Sequence, residues 1–577
     1  MEYFFSLHRA RLLVGLLFLL LLKGLTAQGQ APAWQTAMAV TSAEILATAT
    51  GANGSIFISG YFDGTVSFGS TTLTSAGASD AFIAKWNTTS NSFAWAQRAG
   101  GLGYDAAYAV AVAGTNVYIA GSYASSQANF GSISLNNNSN RPNSDNAFVA
   151  KLYDGGSASS FVWAQQAGGA ENDAAVAVAV SGTNVYVTGK FSSSTALFGA
   201  VTLTSPSRFA ANAFVAKLTD AGNTSSFIWA QQSIGADQDR VQALAVNGAS
   251  VYITGAFLSA TVGFGTTTLL NTDPMRGTDG FIAKLTDAGS TGSFIWAQQV
   301  RGTSYESIST LAVSGTSLYV GANYGRAANV LFGTLVMATG GNTGMFVAKL
   351  VDLGSTVSFI WTQQTAGGGI LGGNVLVYRS PNLYVTGSFI APIINFGGTA
   401  LTNTGNADVF VAKLADLGSS SSFVWAQHAG GTGFDTPSSL AIIGSGVFVG
   451  GSFNSGVMVF GTQLLANPLP VGYSGFLASL TDPTLTAAAA AQSSLSVALA
   501  PNPANATTSV TLPAMPGAAT ATLTLRDALG RTLRTETLPL PPAGLRHELG
   551  LTGLAPGIYA LQVRAGTATA TRRLVVD

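Results

Sequence analysis

Short apolar runs follow one another along this chain in a fixed order. Between Ala174 and Gln232 they read "AAVAVAVSG", "NVYVTGKF", "NAFVAKLTD" and "SFIWAQQ". Breakers such as Ser181-Gly182 and Ala221-Gly222 separate them and are turn residues rather than helix caps. β-Branched and aromatic residues dominate, and no stretch carries a helical period. The middle runs are apolar at successive positions, with Val185 and Val187 alternating with Tyr186 and Thr188. A half-exposed strand would place a polar residue at every second position. The pattern therefore predicts four-stranded sheets, each buried on both faces between two neighbours.

The unit recurs seven times. A Trp series runs Trp34, Trp95, Trp163, Trp229, Trp296, Trp361 and Trp425, spaced by 61 to 68 residues. The third strand centres on Phe82, Phe148, Phe214, Phe281, Phe346, Phe410 and Phe476, and a Phe-Gly pair lies between the second and third elements. Four-stranded sheets repeated about an axis make a β-propeller. Small Ala and Val suit the crowded innermost strand, and the bulky Phe and Trp strands belong at the rim. The two ends complement each other. The seventh copy stops after its third strand at "GFLASLTDP", and the chain's first strand, around "AWQT" (Ala33 to Thr36), is the missing fourth. The expected fold is all-β: a seven-bladed β-propeller closed by an N-terminal strand, with Trp34 in the last blade, plus a small C-terminal β-sandwich. Expected boundaries are 1–27 for a signal peptide, 31–482 for the propeller, 483–494 for a linker and 495–577 for the sandwich.

Composition narrows the function. Charged residues make up 9% of the chain, against about 25% in an average soluble domain. Net charge is zero and no basic run exists outside the leader, so a nucleic-acid partner is not expected. Arg9 and Arg11 followed by "LLVGLLFLLLL" read as a secretory signal, with cleavage expected between Ala27 and Gln28. An uncleaved anchor is the competing reading, and Lys23 closing so short an apolar run argues against it. No later segment is a transmembrane candidate. Cysteine is absent, which removes thiolate catalysis, Cys-ligated metals and disulfides.

"DAAVAVAVSGTNVYVTGKF" followed by "NAFVAKL" resembles the bacterial β-propeller repeat family over residues from about 33 to 482. That resemblance implies a fold and no reaction. At the other end, "APNPA" (Ala500 to Ala504), "RDALGRTL" (Arg526 to Leu533) and "LAPGIYALQV" (Leu554 to Val563) resemble the type A C-terminal sorting domain of the type IX secretion system. The residues carrying that likeness are Pro501, Asn502, Pro503, Asp527, Gly530, Arg531, Gly557 and Tyr559. It implies the secretion machinery as a partner and passage through the cell outer membrane of a Gram-negative, Bacteroidota-type bacterium. The cargo is then released or fixed at the cell surface. The chain departs from the family in Ala500, where an aromatic is usual, and in ending on Asp577 rather than a basic residue.

Candidate chemistry is sparse. His428 occupies the second Gln of a "WAQQ" copy, and neither a catalytic set nor a phosphate-cradling loop stands out. Ten residues after each Trp come Glu44, Asp105, Asp173, Asp239, Glu306, Leu371 and Asp435. Closure would bring the six acids to one channel mouth, where a ring could hold a hard cation. Alternatively, each accepts backbone N–H bonds within its own loop, and this reading is favoured. The recurring Lys of the third strand, from Lys85 to Lys413, either pairs with these acids or lays its stem over the sheet edge. No catalytic residue, cofactor or confident metal ligand is assigned. The expected function is non-catalytic binding or adhesion at the cell surface, toward a glycan or protein ligand on the loops. The alternative is an extracellular enzyme acting on polysaccharide or peptide.

Overall fold

The computed structural model describes residues 31–577 except 138, 140–143, 208–209, 272, 274–276, 367, 470–471, 486–496, 513–519, 528–530, 542–543 and 566–567. The expected signal peptide, with Ala27 and Gln28, most of the linker, and Gly530 lie outside these residues. Two compact units meet between Thr481 and Asp482.

In the first unit the repeats form four-stranded antiparallel sheets, seven among the described residues. The third is typical, with Asp173–Ser181, Asn184–Phe191, Asn212–Asp220 and Ser225–Gln232 in spatial order. Its middle strands are buried almost throughout, as side chains packed on both faces require. Each innermost strand lies beside the next, and Ala43–Thr50 of the first sheet lies beside Asp435–Ile443 of the seventh. The arrangement is propeller-like. Between its second and third strands each repeat adds a two-stranded hairpin not read from the sequence, such as Thr195–Phe198 with Val201–Thr204. The Phe-Gly pair turns that hairpin, and Gly199 has a φ of 58° there. In several copies the hairpin pairs with the outer strand of the preceding sheet, as in Ala167 with Phe198.

The chain's first strand, Trp34–Val40, pairs antiparallel with Ser474–Thr481 of the last sheet. Its register corrects one assignment. In the second sheet Trp163 faces Lys151 and Phe161 faces Leu152, with a bulge between. In the seventh sheet Thr36 faces Ser479 and Trp34 faces Leu480. Trp34 therefore stands in the Phe position of its strand, and Thr36 holds the Trp position. Its ring meets Phe460 edge-on at 5.0 Å, as Phe161 meets Phe130 and Phe227 meets Phe198.

Adjacent sheets are joined by a buried polar cluster. Asp220, ending the third strand of sheet three, accepts from three groups of sheet two: Lys151 Nζ at 2.7 Å, the Tyr118 hydroxyl at 2.7 Å and Trp163 Nε1 at 3.0 Å. Asp287, Asp352 and Asp416 repeat the full set, and Asp154 takes Lys85 and Trp95. Burial alone would raise the Asp220 carboxyl, but bonds from Lys151, Tyr118 and Trp163 outweigh it and hold the group below its ordinary range. The recurring Lys thus reaches neither the innermost-strand acids nor open solvent. It crosses to the next copy.

The junction between the last sheet and the first differs. Phe448, Ser479 and Thr36 stand where Tyr118, Lys151 and Trp163 stand elsewhere, and Thr88 replaces the Asp. In place of the cluster is an apolar cleft of about 230 Å³ lined by Met38, Trp86, Phe448 and Leu477 among others.

The second unit packs two antiparallel sheets. One orders Ala498–Ala500, Thr507–Leu512 and Leu545–Gly550, and the other orders Thr532–Pro539, Thr520–Arg526, Gly557–Ala565 and Ala568–Val576. Val510, Leu523, Leu561, Val563 and Leu574 fill the core between them.

Candidate functional site

The acids that open the innermost strands turn into their own loops. Asp105 accepts from the Gly101 N–H at 2.7 Å and from the Ser125 hydroxyl at 2.6 Å. Asp173 takes the Gly169 N–H and the Ser193 hydroxyl in the same way. Asp239 accepts the Ser259 N–H and Asp435 the Ser455 hydroxyl. All four are 0–1% exposed, so they do not line an open channel mouth. Burial pushes Asp173 up to about 6, Asp239 to about 7 and Asp435 to about 6, with the loop hydrogen bonds pulling the other way. Among the described residues no three acids or histidines gather as a metal site.

One of the six expected ring acids, Glu44, falls elsewhere. Asp105 faces Tyr123 across its sheet, and the residue facing Phe62 in the first sheet is Ala43, not Glu44. The connection from Thr36, in the Trp position, to Ala43 is three residues shorter than from Trp163 to Asp173, so a fixed spacing from Trp34 put Glu44 out of register. Glu44 instead accepts the Tyr61 hydroxyl at 2.5 Å. In the sixth sheet the equivalent position is Ile370, which faces Phe389. Glu306 keeps the ring position, with the Gly302 N–H beside its carboxyl and no side-chain donor on either oxygen.

Where the repeats depart from one another, the departures converge. Between the first and second sheets lies a cleft of about 370 Å³, lined by Tyr61, Asp63, Tyr104, Tyr108, Ser122 and Asp145 together with Ser79, Asp105 and Ala106. Tyr61 occupies the register position held by Ser122, Lys190, Ala256, Asn323, Ser388 and Ser452 in the other copies. Tyr108 is the bulged residue of its innermost strand, where other copies carry Leu46, Val176, Gln242, Ser309 or Ser438. A bulge re-aims a side chain out of the sheet. Tyr104 is 63% exposed and sits one residue before Asp105; Tyr305 and Phe434 are exposed at the same repeat position. Burial raises the Asp63 carboxyl. It also raises Asp145, where Lys190 opposes the shift and Asp105 adds to it.

The cleft carries no unusual titratable group within any one copy and so leaves no local mark of chemistry in the sequence. The usable signal was tyrosines at register positions where most copies carry no aromatic. His428, noted for its rarity, lies on the outer strand of the sixth sheet facing Phe410, and its charge acts on Asp408.

In the second unit the motif residues act on the backbone. Asn502 donates to the Arg573 carbonyl at 2.7 Å and accepts from the Val575 N–H at 2.9 Å, clasping the final strand. The Pro501 carbonyl accepts the Thr508 hydroxyl, and Pro503 follows Asn502 directly in that clasp. Asp527 accepts from the Arg531 N–H and Nε. Gly557 opens the strand that carries Tyr559, whose hydroxyl donates to the Ala555 carbonyl at 2.7 Å.

Fold and motif together define an all-β, propeller-like protein carrying an export tail. Residues 498–577 match the secretion system C-terminal sorting domain, and this unit is the sorting domain of type IX secretion. Such a tail implies a secreted or cell-surface protein of a Bacteroidota-type bacterium. No curated protein matches the chain by sequence. Among solved structures it is similar to a phage phi92 endosialidase, at 9% identity and TM-score 0.35, covering 94% of this chain and 87% of that one. It is also similar to a family 32 glycoside hydrolase from Bifidobacterium adolescentis, at 8% identity and TM-score 0.24, covering 94% and 95%. Latent PorU from Porphyromonas gingivalis aligns at 9% identity and TM-score 0.14 over 63% of this chain and 31% of that one. Likenesses this loose carry no function across. Among the described residues no helix is long and apolar enough to cross a membrane.

Proposed function

We propose that this is an exported, non-catalytic binding protein whose seven sheets form one closed seven-bladed propeller, residues 31–482. The linker 483–494 joins it to the sorting domain, 495–577, and the leader is cut after Ala27. The ligand is a glycan, held in the cleft between the first two sheets. One observation carries this reading: Tyr61, Tyr104 and Tyr108, each a departure from most or all of the other copies, line a single cleft with carboxylates and hydroxyls. Exposed tyrosine faces stack on sugar rings, and Asp63, Asp145 and Ser122 offer the acceptors and donors that hydroxyl-rich ligands need. Glycan-array binding by the mature chain, lost in Tyr104→Ala at unchanged melting temperature, is the expected result. Binding that survives in Tyr104→Ala and Tyr108→Ala alike would remove the cleft from the function.

The enzyme alternative rests on Asp63 and Asp145, whose carboxyls burial holds above the ordinary range, the condition for a general acid. Product release from a panel of polysaccharides and peptides, abolished by Asp63→Asn, would establish it over binding alone.

A further inference from the structure

The junctions between sheets obey a charge rule, and one junction breaks it. Each junction brings together three register positions. They are the first residue of the third strand in one sheet, the first residue of the innermost strand in the next, and the outer-strand residue facing the central Phe. At the junction of sheets one and two these are Asp80, Asp105 and Arg98, and Arg98 pairs with Asp80 at 2.6 Å. Between sheets six and seven they are Asp408, Asp435 and His428. Two junctions hold a single acid with neutral partners: Asn146, Asp173 and Gln166, then Asn212, Asp239 and Gln232. The remaining two regular cases hold no charge at all: Gly344, Ile370 and Gln364, then Ser474, Ala43 and Ala39. Two acids therefore come with a basic residue, and one or none comes without.

The exception lies between sheets four and five, where Asp279 and Glu306 meet the neutral Gln299. Both acids are 0% exposed. Gln299 Nε2 donates to Asp279 Oδ2 at 2.5 Å, and the Gly302 N–H is the main-chain donor beside both carboxyls, while no side chain donates to Asp279 Oδ1 or to either Glu306 oxygen. The Ser that bonds the acid in four other copies is replaced by the exposed Arg326. Asp273 adds negative potential to both groups, and Arg301, itself exposed, offsets it at Asp279. Two carboxylates buried side by side with no basic side chain facing them are far too costly to keep ionised together.

We infer that Asp279 and Glu306 together hold a hard cation of the Ca²⁺ class at this junction, in the place Arg98 and His428 fill at the other two-acid junctions. Carboxylate oxygens without a side-chain donor are the ligands such an ion prefers, with main-chain carbonyls and water completing its shell. The ion would tie the fourth sheet to the fifth.

The test uses the mature full chain, stripped of metal and then titrated with CaCl₂. The expected result is uptake of one ion by calorimetry and a rise of a few degrees in melting temperature at saturation. Gln299→Arg restores the internal cation and Glu306→Gln removes one charge, so both should abolish uptake. Gln299→Arg should also melt at or above the metal-free native chain. No uptake by the native chain overturns the inference and leaves the pair sharing a proton. Uptake unchanged in both variants overturns it equally, because the ion would then lie elsewhere.

Discussion

Trp34 offers the sharpest test of how the two ends of the first unit meet. Its side chain is 6% exposed, its ring packs edge-on against Phe460 at 5.0 Å, and Nε1 donates to the His428 carbonyl at 3.0 Å. Truncation to Ala removes a buried ring, a loss of about 3–5 kcal/mol by comparison with other buried aromatics. Six other junctions place Phe at this position, so Trp34→Phe keeps the ring contact and loses one hydrogen bond, about 1 kcal/mol. In a unit this large each kcal/mol shifts melting by no more than about 2 °C, which gives a fall of up to about 10 °C for Ala against about 2 °C for Phe. Differential scanning calorimetry of the two variants reads this directly, with proteolysis between residues 31 and 40 as a second measure. Equal losses for the two variants would refute the assignment of Trp34 to the Phe position. An unchanged Ala variant would refute closure by this strand.

Asp220→Ala should cost about 3–5 kcal/mol in chemical denaturation by leaving Lys151 buried and unpaired, and Lys151→Met in the same chain should recover part of it. Two sets of acids give opposite pH trends. Asp220, Asp287, Asp352 and Asp416 lie below their ordinary range, so their contribution is full at neutral pH and is lost as pH falls through their folded values. Asp173, Asp239 and Asp435, at about 6, 7 and 6, bind protons more readily folded than unfolded. Their contribution is full below about pH 4 and declines as pH rises to those values, so melting temperature should peak near pH 4–5. Asp239→Asn should flatten the decline toward neutral pH; a profile that rises up to pH 8 would contradict the buried set. Introducing Thr88→Asp with Ser479→Lys should show favourable coupling in a double-mutant cycle, and zero coupling would mean that the last junction is spaced differently from the rest.

The four-strand unit was legible because double-sided burial leaves its mark on every middle strand, as in Val185 to Thr188. The hairpin between the second and third strands was not, since its runs are only four residues long and half exposed. Trp34 misled because a Trp-Gln pair recurs in the chain, while its register is set by Leu480 at the far end. The Lys-to-Asp bridges were hidden for a similar reason. Lys85 and Asp154 are 69 residues apart in different copies, and no local pattern links them. The cleft needed three dimensions: Tyr61, Tyr108 and Asp145 belong to three strands or loops of two copies, each unremarkable within its own stretch.

The junction between the last sheet and the first bears on how the molecule assembles and comes apart. The seventh sheet, on one side of this junction, is completed by pairing Trp34–Val40 with Ser474–Thr481, partners more than 430 residues apart, so the junction should form late. At the five junctions with a Lys–Asp pair, docking two sheets means stripping water from a lysine and an aspartate. Here apolar side chains and hydroxyls face one another, with the Ser438 hydroxyl donating to the Ile45 carbonyl across the junction, so no lysine–aspartate pair has to be desolvated. The same economy sets the order of failure. In the closed ring proposed above, this junction should open first under heat, leaving all seven sheets docked through the other six junctions as an arc with two free edges.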